Sequence, residues 1–155
     1  MPGKHGPNRF ENYQTVHQKR MQDFLLEGFV LEEDLRFRAI GRRSIVLHGS
    51  IRCLGGIVLE VEKELQVLDG EGPTARVRTR TYRYHAWLPA RHNILRYDSP
   101  HVHRPYHHVH RFDALGTGRE TSIDPIEGED AIPTLSEVLD ELRDWCYRNA
   151  GALAP

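Results

Sequence analysis

The stretch that decides the fold is IVLHGSIRCLGGIVLEVEKELQV, residues 45–67. Ile45, Leu47, Ile51 and Cys53 alternate with Val46, His48, Ser50 and Arg52. Ile57, Leu59, Val61, Leu65 and Val67 alternate with Val58, Glu60, Glu62, Glu64 and Gln66. A period of two is the signature of a strand with one buried face. Gly55-Gly56 between the runs supplies the positive φ angles of a tight turn. The pattern predicts an antiparallel hairpin with one apolar face and one acidic face. The acidic row Glu60, Glu62, Glu64 is then a solvated face, or a surface complementary to a basic partner.

Working outward, Leu35, Phe37 and Ala39 alternate with Arg36 and Arg38 and predict a further strand. Residues 75–88 form a long strand whose phase slips near Thr81, the mark of a bulge. Asn93 to Asp98 is a short fifth strand, and Tyr106 to Phe112 a sixth. Tyr13, Val16, Met21, Phe24 and Leu25 have helical spacing over Glu11 to Leu26. Thr134-Leu135-Ser136-Glu137 reads as a capping box. After it, Leu135, Val138, Leu139, Leu142, Trp145 and Cys146 mark one face of a helix ending near Asn149. Residues 113–133 show no period and read as a loop. The expected architecture is α+β: a mostly antiparallel sheet of about 5–6 strands, with N- and C-terminal helices packed on one face. Residues 1–10 read as a disordered tail and residues 11–150 as a single domain.

The chain has 155 residues, and its two cysteines, Cys53 and Cys146, form no CxxC pair. No disulfide framework or thiolate zinc site is expected, and a reducing cytoplasm is the default compartment. No stretch approaches the ~18 apolar residues that span a bilayer. Met1 to Phe10 carries Lys4, His5 and Arg9 with no apolar run behind it, unlike a secretory signal. The net charge of −1 hides a segregation. Residues 75–112 carry 8 Arg and one acid, while residues 113–155 carry 3 Arg and 10 acids. Such a basic segment suits an anion, nucleic acid first. Equally, the basic and acidic segments could pair within one fold.

The segment RHNILRYDSPHVHRPYHHVHR, residues 91–111, concentrates the chemistry. Three readings compete. His101/His103 and His108/His110 are HxH pairs that a strand would aim to one side, where Asp98 or Asp113 could complete a divalent metal site within the His101–His110 segment. Alternatively, two or more of His103, His107, His108 and His110 serve as the acid and base of metal-free phosphodiester cleavage. Arg96 or Arg111 would then hold the phosphate, and Tyr84, Tyr97 and Tyr106 would stack on bases. Arg76, Arg78, Arg80, Tyr82 and Tyr84 would share one face if no bulge intervened. In the third reading Tyr82, Tyr84 and Trp87 pack under a helix, His48 and His85 are structural, and Asp98 caps a turn or pairs with Arg96.

Four blocks in order carry a resemblance: Gly49-Ser50-Ile51-Arg52, Tyr82-Arg83-Tyr84-His85, Leu95-Arg96-Tyr97-Asp98 and His107-His108-Val109-His110, followed by the C-terminal helix. Over roughly residues 48–147 the chain resembles the TumE-like toxin family. It departs from that family's pattern at Ser99, Tyr106 and Val109. The resemblance implies the toxin of a type II toxin–antitoxin pair, with a cognate antitoxin that carries a helix-turn-helix domain. It implies no target. Action on RNA is read from the residues: His107, His108 and His110 as acid/base or positioning groups, Asp98 as orienting carboxylate, Arg96 and Arg111 on phosphate, and Tyr84, Tyr97 and His103 on substrate. The enzyme class this names is a metal-independent ribonuclease with no cofactor. The alternative is a non-catalytic metal- or protein-binding module, or an inactive family member, and a homodimer stays open.

Overall fold

The computed structural model describes residues 4–153. Its elements run β1 (Asn8–Arg9), α1 (Phe10–Glu27), β2 (Val30–Glu33), β3 (Arg36–Ile40), β4 (Ser44–Cys53), β5 (Val58–Asp69), β6 (Arg76–Trp87), β7 (Asn93–Asp98), β8 (His108–Phe112), β9 (Glu120–Pro125), α2 (Leu135–Arg148) and α3 (Ala150–Leu153). The described residues form one nine-stranded sheet in the order β2-β4-β5-β6-β7-β8-β9, with β1 on β6 and β3 on β4. Every pairing is antiparallel. The α+β class is as expected, but the strand count exceeds the 5–6 expected.

The hairpin is where its alternation puts it. β4 and β5 pair from Ser44↔Gln66 to Arg52↔Val58. Gly55 and Gly56 turn the chain at φ +74° and +78°. Leu59, Val61 and Leu65 are buried while Glu60 and Glu62 are exposed. The slip in β6 is real: Glu64 faces Thr81 and Leu65 faces Thr79, leaving Arg80 as the extra residue. β1, β2 and β9 were not expected. β9 overturns part of the loop read over 113–133, because its sequence Glu-Thr-Ser-Ile-Asp-Pro lacks the apolar alternation of a half-buried strand.

Both long helices cover the same sheet face. Met21 and Phe24 of α1 and Leu135, Val138, Leu139, Leu142 and Cys146 of α2 share a core with Leu47, Leu59, Val61, Tyr84 and Tyr97. Arg143 of α2 joins the helices through Glu27 and lies over the Phe24 ring. Thr134 and Glu137 form the reciprocal capping box at the start of α2. A smaller core of Ile45, Leu65, Val67, Ala75 and Val77 lies under Phe10, Tyr13 and Phe37. Residues 4–10 of the segment read as a disordered tail make contacts with the rest of the chain. Asn8 and Arg9 pair with Val77 and Arg76, His5 bonds the Ile132 carbonyl at 2.8 Å, and Lys4 pairs with Glu137. Residues 1–3 lie outside the described residues.

Candidate functional site

The site follows from strand alternation across three neighbours. β7 and β8 pair with Arg96 opposite His110 and Asp98 opposite His108. Tyr97 and Val109, between them in sequence, point into the core. Arg96, Asp98, His108 and His110 therefore share the face turned away from the helices. There Arg96 Nε donates to Asp98 Oδ2 at 2.8 Å. The Nε2 atoms of His108 and His110 each lie 3.4 Å from the same oxygen. Arg96 Nη2 is 3.2 Å from His110 Nε2, and His110 Nδ1 bonds Glu120 Oε1 on β9. His108 Nδ1 bonds the Tyr106 carbonyl at 2.9 Å. A carbonyl only accepts, so that nitrogen carries the proton and Nε2 of neutral His108 does not. His108 Nε2 is buried without a hydrogen-bond partner.

A loop over residues 99–107 encloses the cluster. Its start is fixed by Ser99, whose N–H donates to the Tyr82 carbonyl at 3.1 Å and whose hydroxyl accepts from the Tyr82 N–H at 3.0 Å. Mutual backbone bonds between His101 and Arg104 close its tip. The His101 and Tyr106 rings lie 5.2 Å and 5.6 Å from that of His108. His108 is 0% exposed, and Asp98 and His110 are almost as enclosed. Of the four side chains, Arg96 is the one that reaches the surface, with its side chain 36% exposed.

Other expected site residues lie elsewhere. His107 is next to His108 on the chain and so points to the opposite face. It stacks on Tyr82 at 5.6 Å and bonds its hydroxyl at 2.8 Å. Burial, with His5 and His108 nearby, holds it below the ordinary histidine value. Tyr84 is 0% exposed and cannot stack on a base. Tyr97 and Arg111 face α2, where both bond Glu141. His103 is exposed on the loop, 6.2 Å from His101 ring to ring. The arginine stripe is broken at the bulge, and Arg76, Arg80 and Arg83 pair with Asp69, Glu64 and Glu62. Glu120, which grips His110, was missed; it sits in a stretch with no period, and nothing in the sequence aims it at a histidine.

Fold and site together define a small α+β protein with a polar acid–base cluster on the bare face of its sheet. Residues 18–146 match the family model described as Toxin TumE, and the chain belongs to that toxin family. The match reaches back into α1, well before residue 48, where the motif resemblance begins. No curated protein and no solved structure matches the chain. A toxin family implies an antitoxin partner. No helix of the described residues is long and apolar enough to cross a membrane.

Proposed function

We propose that this toxin acts on RNA through the cluster on the bare face of the sheet, with His110 as the proton-transfer group, Asp98 as its neighbouring carboxylate and Arg96 as the phosphate-binding group. The observation that carries this reading is the grip on His110. The Glu120 carboxylate accepts a hydrogen bond from Nδ1–H, which fixes the tautomer and leaves a lone pair on Nε2. Arg96 Nη2 now donates to that lone pair. A phosphate that engaged the guanidinium would draw it away and free Nε2 to accept a 2′-hydroxyl proton. The 2′-oxygen would then attack phosphorus as the P–O5′ bond breaks, and the departing 5′-oxygen would take its proton from water. The partner would be a cognate antitoxin with a helix-turn-helix domain, and the compartment the cytoplasm.

The test is induced expression in a bacterial host, with growth followed and total RNA inspected. Wild type should arrest growth and alter the RNA. His110→Ala should lose both effects, with RNA turnover down roughly 10²–10⁴-fold, the usual contribution of a general acid or base. Glu120→Gln should lose part of the activity, and both variants should melt within a few degrees of wild type. Arrest with altered RNA in the His110→Ala culture would sink the assignment. Normal growth and intact RNA with wild type would sink the RNA-directed reading.

A further inference from the structure

We infer that Asp98, His101 and His108 bind a divalent transition-metal ion of the zinc class. The starting point is an electrostatic misfit. With its Nδ1 proton committed to the Tyr106 carbonyl, His108 presents a bare lone pair on Nε2. That lone pair faces Asp98 Oδ2, another acceptor, 3.4 Å away in a closed space. Two acceptors held together away from water repel unless a cation lies between them. The spacing suits one. Donors bound about 2.0–2.1 Å from a tetrahedral ion stand about 3.4 Å apart. A ring nitrogen of His101 completes the group, all three donor atoms lying within 4.8 Å of one another.

The surroundings match a metal site as well. A ligating imidazole ordinarily donates its other N–H to a carbonyl or carboxylate, as His108 does to Tyr106. A ligating carboxylate is ordinarily hydrogen-bonded in turn, as Asp98 is by Arg96. Two imidazoles and one carboxylate suit zinc or ferrous iron and leave a coordination position for water or substrate. His110 and Arg96 lie beside Asp98, so that position would adjoin the groups assigned to RNA. The inference does not rest on the RNA-directed reading, because metal content is measured without substrate.

The experiment uses full-length protein purified without a histidine tag. Metal content is measured as isolated; the chelated protein is then titrated with Zn²⁺, with Co²⁺ as a spectroscopic probe. The expected result is one equivalent per chain, a visible tetrahedral cobalt spectrum, and a melting temperature several degrees higher on loading. Elemental analysis of the isolated protein distinguishes zinc from iron. His101→Ala, in the exposed loop, should weaken binding about a hundredfold while the metal-free protein melts normally. His48→Ala, on another part of the sheet, should leave binding unchanged. No stoichiometric binding, or binding indifferent to His101→Ala, would overturn the inference.

Discussion

Tyr84 shows how much one side chain's meaning depends on strand phase. Its ring is fully enclosed and its hydroxyl has no hydrogen-bond partner. An orphaned buried hydroxyl costs about 1–3 kcal/mol. Tyr84→Phe should therefore stabilise the protein by about 1 kcal/mol, read from urea unfolding, and leave growth arrest intact. Lost stability would mean that the hydroxyl has a partner; lost arrest would restore the ring to the substrate surface. The sequence shows an aromatic strand there, but its two sides are assigned only once the extra residue Arg80 is counted. The histidines teach the same lesson. Their density marked the region, yet adjacent His107 and His108 cannot act together from one strand. Alternation sends them to opposite faces.

Elements with strong local chemistry were legible: the hairpin by its alternation, its turn by Gly55-Gly56, and α2 by its capping box. The weakly patterned strands β1, β2 and β9 were not. β2 and β3 lie along the same side of β4, one on Ile51–Cys53 and the other on Ser44–His48. Asp34, between them, meets β4 at Gly49. A Cβ on Gly49 would lie 2.6 Å from Asp34 Oδ1 and 2.9 Å from its carbonyl oxygen, and its φ is +145°. Asp34 Oδ1 also accepts the Ser50 N–H. Gly49→Ala should therefore cost about 3 kcal/mol, combining a strained conformation with a backbone collision. Urea unfolding would check it, and a loss below about 1 kcal/mol would show that the junction yields easily.

At the scale of the molecule, charges segregated along the chain are interleaved in space, with β6 arginines on β5 acids and Arg111 on Glu141. These are mostly exposed pairs of small individual effect. The N-terminal segment is held differently. Burial lowers His5 below the ordinary 6.5, opposed by its bond to the Ile132 carbonyl, with Lys63 and Lys4 lowering it further and Glu129 raising it. The folded value lies below the unfolded one, so the unfolded segment takes up more protons as pH falls beneath 6.5, and docking weakens. Amides of residues 8–10 should lose hydrogen-exchange protection between pH 7 and 5, after correction for intrinsic rates, and His5→Gln should remove the change. Unaltered protection would mean that β1 holds without His5.

From β4 to β9 the strands follow one another in space as they do along the chain. Asp98 and His108 are ten residues apart, as are His110 and Glu120. Closing such short loops carries little entropic penalty, and local contacts form early and quickly. The polar cluster thus belongs to a single stretch of chain that can zip up before either helix has docked.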